Sequence, residues 1–183
     1  MEVSSIDGQR LPAWRQRKVQ IITALLAVAL AVALTMSYTG AMRASPAPAV
    51  TIVSLRGEKI TTADLRGRVV LVNFWATDCV ICVKEMPQIV STYERFRAQG
   101  FDTIAVAMRH DPPNYVLAYV ARNALPFTVA LDPLGELAQA FGGVRATPTS
   151  FLLDRRGNIV WRITGEPDFA QLHALVEAKL AER

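Results

Sequence analysis

Cys79 and Cys82 are the only cysteines of this chain of 183 residues, and two residues separate them. A thiolate is the nucleophile in disulfide exchange, and a second thiol one helical turn away can close the pair into a disulfide. The spacing therefore predicts a redox-active dithiol. Two alternatives stay open from the spacing alone: a pair of inert buried thiols, or half of a metal site. A zinc site needs about four ligands, and the chain has no second cysteine pair.

The elements around the cysteines favour the interpretation of the pair as a redox-active dithiol. Residues 69–74 form a β-branched apolar run that is typical of a strand buried on both faces. Residues 80–98 contain few helix breakers apart from Pro87, which we expect to kink a helix there. Unpaired N–H groups at a helix N-terminus favour an anion, which lowers the pKa of a thiol from about 8.5. We expect Cys79 to be the exposed attacking thiol and Cys82 the shielded resolving thiol.

A longer pattern surrounds the two cysteines. It comprises Phe74, Trp75, Ala76, Thr77, Cys79, Cys82, Glu85, Met86 and Pro87, with Thr147 and Pro148 far downstream. The pattern resembles the TlpA/ResA family of membrane-anchored bacterial thiol–disulfide oxidoreductases, over about residues 50–183. The resemblance implies a thioredoxin-like three-layer α/β/α sandwich that carries an N-terminal β-hairpin. It also implies a redox-active disulfide in place of a cofactor, and no metal.

The same resemblance implies roles for four supporting residues. Pro148 matches a cis-proline that would set the backbone of Thr147 opposite the sulfurs, although an ordinary trans proline is the commoner form. Trp75 is expected to pack beside the cysteines and to shape the docking surface, unless it is only a core aromatic. Glu85 is expected near a cavity below the active site, where it would modulate the acidity or the specificity of the thiols. The alternative for Glu85 is a solvated position on the helix.

Departures from ordinary thioredoxins indicate the direction of electron flow. Asn73 stands where those proteins have a buried aspartate, so Glu85 is the candidate substitute. Asp78 precedes the first cysteine, and a carboxylate beside a thiolate raises the pKa of the thiol. Val80 and Ile81 add no cation between the cysteines. We therefore expect the Cys79/Cys82 couple to act as a reductant.

The predicted function is a protein-disulfide reductase, of the cytochrome c maturation type or related, that draws electrons from a membrane donor. A disulfide-introducing oxidant is the first alternative. A thiol peroxidase would need a proline and a threonine ahead of its cysteine, and these are missing. A copper-binding assembly protein on the same fold would need a positioned histidine, for which His110 is the candidate. A redox-inert docking module is the last alternative.

The N-terminal region predicts a membrane anchor. Residues 19–42 are 24 uncharged residues, which as a helix would span roughly 36 Å, more than a bilayer core of about 30 Å. Residues 1–18 carry four basic side chains, so the positive-inside rule keeps them in the cytoplasm and exports the domain at residues 50–183 to the periplasm. Residues 43–49 predict a Pro/Ala linker. A cleaved signal peptide, processed near residues 47–49, and a buried core helix are the alternatives.

The net charge of +4 does not indicate nucleic-acid binding, because residues from 44 onward are nearly neutral and the excess lies at the membrane end. The remaining pattern predicts an alternation of strands and helices, as in an α/β sandwich. The expected elements are a hairpin at 50–55 and 59–61, a helical turn at 62–67, a strand at 101–108, a helix at 114–122 capped by Asn114, a strand at 128–131, a helix at 135–141, a hairpin at 149–154 and 158–163, and a helix at about 168–181.

Overall fold

The computed structural model describes residues 22–26, 28, 30 and 45–182. The chain divides into two units, Met1–Arg43 and Ala44–Arg183. The described residues of the first unit are helical. No helix among the described residues combines the length and the apolar character needed to cross a bilayer. The predicted tail at 1–18 and most of the predicted anchor at 19–42 lie outside the described residues.

The second unit carries the strands and helices that build the site. The strands are β1 (Ser45–Pro46), β2 (Thr51–Val53), β3 (Lys59–Thr61), β4 (Val69–Trp75), β5 (Phe101–Ala107), β6 (Thr128–Leu131), β7 (Thr149–Leu153) and β8 (Asn158–Thr164). The active-site helix is Val80–Phe96, followed by a 3₁₀ turn at Arg97–Gln99, and the other helices are Pro113–Asn123, Glu136–Ala140 and the C-terminal helix Phe169–Ala181.

Six strands form one mixed sheet in the order β1-β8-β7-β4-β5-β6, and β2 and β3 form a separate antiparallel hairpin. β4 is parallel to β5 and antiparallel to β7. All seven residues of β4 are buried, as expected for a central strand covered on both faces. The predicted thioredoxin-like α/β fold with an N-terminal hairpin is confirmed.

Side chains of β4 alternate between two cores. Val69, Leu71 and Trp75 face the core that also contains the buried side of the active-site helix and the C-terminal helix. Val70, Val72 and Phe74 face the other core, which the hairpin β2–β3 and the short helix Glu136–Ala140 help to close. Because strand side chains alternate with a period of two, Asn73 must face the active-site helix.

Two local predictions differ from the structure. The helix after β5 begins at Pro113 with Pro112 in the cap position, so Asn114 is not the cap. Proline suits the first helical turn because it has no N–H that would need a partner there. Residues 62–67 form consecutive turns, not a helical turn. Pro87 lies inside the active-site helix, and the kink expected there stays a prediction.

The predicted linker also differs from the structure. Ser45 and Pro46 pair with β8, and the Ala47 N–H donates to Gly157 O over 2.9 Å. Thr62 Oγ1 donates to Pro48 O over 2.8 Å. An exposed strand edge has unpaired N–H and C=O groups, and this segment satisfies part of the β8 edge. The segment from residue 45 therefore belongs to the domain and is not a free spacer.

Candidate active site

Strand register brings distant parts of the chain to one edge of the sheet. Trp75, the last residue of β4, is opposite Ala107 at the end of β5, and Phe74 is opposite Thr149 at the start of β7. The loop after β4, the loop after β5 and the loop before β7 therefore meet at this edge. Those loops contain Cys79, His110 and Pro148, which lie far apart in sequence.

Cys79 and Cys82 form a disulfide at the N-terminus of the active-site helix, with their Cα atoms 5.2 Å apart. Cys79 is the N-cap residue, and its Sγ accepts a hydrogen bond from the Cys82 N–H over 3.2 Å. Cys79 is half-buried, whereas Cys82 is completely buried. This is the exposure expected of an attacking and a resolving thiol. Exchange with a substrate can therefore begin at Cys79 and not at Cys82.

The surface around Cys79 is apolar on one side and polar on the other. Val80 is 82% exposed and Ile81 is 45% exposed, which is unusual for aliphatic side chains. Asp78 is also exposed, and its Oδ1 lies 3.6 Å from His110 Nε2. An exposed apolar pair therefore lies next to the reactive sulfur in sequence, which is the kind of surface that interaction sites present.

The peptide bond between Thr147 and Pro148 is cis, as the resemblance implied. Pro148 is buried, and its carbonyl accepts a hydrogen bond from the Gly165 N–H over 2.8 Å. Thr147 is half-buried. Thr147 therefore lies at the surface of the edge that carries the disulfide, where its backbone can meet a substrate segment.

Trp75 does not shape that surface. Its side chain is completely buried, and its ring lies 5.1 Å from the ring of Tyr119. It packs in the same core cluster as Cys82, so the expected proximity to the cysteines is present. The expected role at the docking surface is wrong and the alternative of a core aromatic holds, because the side chain of Trp75 at the end of β4 is buried in that core.

Glu85 is buried, so the alternative of a solvated helix position is wrong. Its Oε1 accepts a hydrogen bond from Asn73 Nδ2 over 3.1 Å, and the same amide donates to Ser150 Oγ over 2.9 Å. Glu85 Oε2 and Asn73 Oδ1 have no hydrogen-bond partner among the described residues. Burial raises the pKa of Glu85 to about 7; donation from Asn73 opposes this rise in pKa, and the charge of Glu166 adds to it.

Two residues of this region were missed in the sequence. Asp111 is buried and accepts hydrogen bonds from both the N–H and the Oγ1 of Thr77, each over 2.6 Å. It therefore holds the loop that leads to Cys79. Ser150 anchors the Asn73 amide. A serine inside a buried apolar strand needs a partner, and that requirement was the available signal.

Metal ligation gains no support from the arrangement of side chains. Within residues 22–26, 28, 30 and 45–182, no group of three or more His, Cys, Asp or Glu side chains could hold a metal ion. His110, the candidate copper ligand, contacts Asp78.

A thioredoxin fold that presents one accessible and one buried cysteine at a helix N-terminus defines a thiol–disulfide oxidoreductase. The Redoxin family matches residues 42–176, and the chain belongs to that family. It is 36% identical to the thiol–disulfide oxidoreductase ResA of Bacillus thuringiensis subsp. konkukian over 126 residues, which cover 69% of this chain and 72% of that protein. ResA of Bacillus subtilis is 31% identical over 132 residues, covering 70% and 71% of the two chains.

A solved structure shows the same fold. The thiol:disulfide interchange protein of Chlorobium tepidum superposes with a TM-score of 0.68 at 30% identity, covering 76% of this chain and 98% of that one. The protein is thus a thiol–disulfide oxidoreductase of the ResA type.

Proposed function

We propose that the protein is a reductase of protein disulfides in an extracytoplasmic compartment. One observation carries the proposal: Glu85 is a buried carboxyl group one helical turn beyond the buried thiol of Cys82, with its pKa raised to about 7. A carboxyl group with that pKa can accept and release a proton near neutral pH. In the reductive direction such a group can accept the proton that the resolving thiol must lose inside the protein.

The reaction begins with both cysteines reduced. The Cys79 thiolate attacks one sulfur of the substrate disulfide, the substrate S–S bond breaks, and the released substrate thiolate takes a proton. A mixed disulfide then joins Cys79 to the substrate. Cys82 gives its proton to the Glu85 carboxylate, and the Cys82 thiolate attacks Cys79 Sγ. The second substrate thiolate leaves with a proton, so two electrons have passed to the substrate and the Cys79–Cys82 disulfide has formed.

The Asn73 amide keeps Glu85 in position for this step. Both of its N–H groups are used, one on Glu85 and one on Ser150, which fixes the amide oxygen away from both. Oε2 of Glu85 has no partner among the described residues and is free to receive a proton. Lys84, the neighbouring residue, is turned outward and pairs with Glu166 over 2.9 Å, so the carboxyl group of Glu85 is not neutralised by it.

The membrane part of the proposal rests on the sequence. The uncharged segment 19–42 would anchor the protein in the cytoplasmic membrane with residues 1–18 inside, and a membrane thiol–disulfide relay would reduce the Cys79–Cys82 disulfide. After the Cys79–Cys82 disulfide has been reduced, treatment of whole cells and of spheroplasts with a membrane-impermeant maleimide tests in which compartment the domain lies. Labelling of Cys79 only after the outer barrier is opened supports a periplasmic domain, and protection of Cys79 in spheroplasts contradicts it.

The equilibrium reduction potential of the full-length chain in detergent tests the direction of electron flow between the protein and its substrate. A glutathione series should give a value below about −220 mV, toward that of thioredoxin. A value near −120 mV would make the protein an oxidant that introduces disulfides. That result would also contradict the inference drawn from Asp78 and the apolar pair Val80 and Ile81.

A further inference from the structure

A groove with a volume of about 830 Å³ lies at the edge of the sheet that carries the disulfide. Its walls come from the loop after β5 and from the segment that includes the helix Glu136–Ala140. Met108 and Leu134 line its apolar part, and Leu134 is 73% exposed. We call it the arginine groove, because Arg109 and Arg145 line it. Its volume falls within the range of about 300–1,000 Å³ that is usual for ligand sites.

Two residues of the arginine groove link it to residues next to the active site. His110 lines it, and His110 Nε2 lies 3.6 Å from Oδ1 of Asp78, the residue before Cys79. Arg145 also lines it and stands two residues before Thr147. A substrate segment that pairs with the Thr147 backbone would therefore continue into this groove.

The charge of the groove is mainly positive. Arg109 and Arg145 are exposed, and neither forms an ion pair with any residue that the structure describes. Glu136 is an acidic residue of the lining. Two arginines and one glutamate thus line the groove, and neither arginine is neutralised by an ion pair with a described residue.

We propose that the arginine groove binds an extended, acidic segment of the substrate protein next to its disulfide. Arg109 and Arg145 act as specificity-determining residues that pair with Asp or Glu side chains of that segment. Guanidinium groups suit this role because they bind carboxylates in a bidentate geometry. The apolar part of the groove accommodates the intervening side chains. The inference rests on the proposed function and adds the chemical class of substrate to it.

Reduction of three matched peptides by the full-length protein in detergent tests the inference. Each peptide carries the same internal disulfide, and the flanking residues are three Glu, three Lys or three Ser. Initial rates are measured by acid quench and chromatography at low ionic strength. We expect the Glu peptide to react roughly fivefold faster than the Lys peptide, which corresponds to about 1 kcal/mol from two exposed charge pairs. The ratio should fall toward one at 1 M salt, where the screening length is about 3 Å.

The double variant Arg109→Gln/Arg145→Gln should lose this preference. Arg156→Gln is the matched control and should retain it. Arg156 is exposed in the turn after β7, at the opposite end of that strand from Pro148, and five residues of strand span roughly 17 Å. A Glu-to-Lys ratio near one in the unmodified protein overturns the groove proposal. A preference that persists in the double variant overturns it as well.

The outcomes distinguish a failure of the groove proposal from a failure of the reductase proposal. If the unmodified protein reduces none of the three peptides, the reductase proposal fails. Fluorescence anisotropy with cysteine-free versions of the Glu and Lys peptides then still tests the groove, because it measures binding without redox chemistry. Tighter binding of the Glu peptide, lost in Arg109→Gln/Arg145→Gln but not in Arg156→Gln, supports the groove; equal binding overturns it.

Discussion

Replacement of Glu85 by glutamine should change how the stability of the protein depends on pH. The pKa of Glu85 is raised from 4.5 to about 7, chiefly by burial. Below pH 4.5 the carboxyl group is protonated in both the folded and the unfolded chain and contributes no pH dependence. Between pH 4.5 and 7 the folded chain keeps a proton that the unfolded chain has lost. The free energy of unfolding therefore decreases as the pH rises through this window.

The size of the effect follows from the shift in pKa. About 2.5 pKa units at 1.36 kcal/mol each amount to about 3 kcal/mol, fully developed above pH 7. Glutamine has nearly the same shape, and its Oε1 can still accept the hydrogen bond from Asn73 Nδ2. Since it does not ionise, the Glu85→Gln protein should lack this decrease. The stability gained by the variant should thus grow by about 3 kcal/mol between pH 4.5 and 8.

Urea unfolding of the oxidised domain, residues 44–183, followed by tryptophan fluorescence at a series of pH values, provides the measurement. Glu94→Gln is the control, because Glu94 lies on the same helix but is exposed and pairs with Arg97. Its difference from the unmodified domain should stay nearly constant with pH. If the Glu85→Gln difference is also constant, Glu85 ionises with an ordinary pKa, and its role as a proton acceptor for Cys82 is refuted.

Three further predictions concern the cysteines and two anchoring side chains. Cys82→Ser should leave Cys79 trapped in a mixed disulfide with substrate, seen as an adduct by mass spectrometry, because the resolving thiol is gone. Asp111→Asn should lower the free energy of unfolding by about 1–3 kcal/mol in urea, since an amide cannot accept both hydrogen bonds from Thr77. Arg155→Met should lower it by about 2 kcal/mol, because its guanidinium donates to three backbone carbonyl groups.

Matched variants control these three measurements. Cys79→Ser should give no adduct, and an equal yield of adduct from both variants would contradict the assignment of Cys79 as the attacking thiol. Asp64→Asn is the control at an exposed turn: both hydrogen bonds from Thr61 go to the single oxygen Asp64 Oδ2, which an amide oxygen can replace, so this variant should lose less stability than Asp111→Asn. Arg156→Met, in the exposed turn, should change it by less than about 0.5 kcal/mol. Losses no larger than these would show that Asp111 and Arg155 are not anchors.

Local patterns were sufficient for the elements nearest to the chemistry. An apolar β-branched run followed by a breaker-poor stretch predicted β4 and the active-site helix, because strand and helix formation depend on residues close in sequence. The exposure of Cys79 and the burial of Cys82 follow from their places in the first turn of that helix. The cis state of Pro148 depended on the resemblance to a family, since the residues around a proline do not determine its isomer.

Contacts between distant residues had to come from the tertiary structure. Asn73 and Ser150 are 77 residues apart, and Thr77 and Asp111 are 34 apart, so no local pattern connects them. The arginine groove is likewise assembled from the loop after β5 and the segment around Glu136–Ala140. The burial of Trp75 depended on which helices pack over the end of β4, and the docking of residues 45–48 depended on the free edge of β8.

The sequence by itself determined the reactive pair and the order of strands and helices around it, because spacing and periodicity act over a few residues. The class of enzyme came from the resemblance to a family. Only the tertiary structure decided the acidity of Glu85. Its carboxyl group is desolvated because the active-site helix lies against β4, and the pKa of a group depends on the dielectric and the charges around it. Those surroundings exist only once strands distant in sequence have paired.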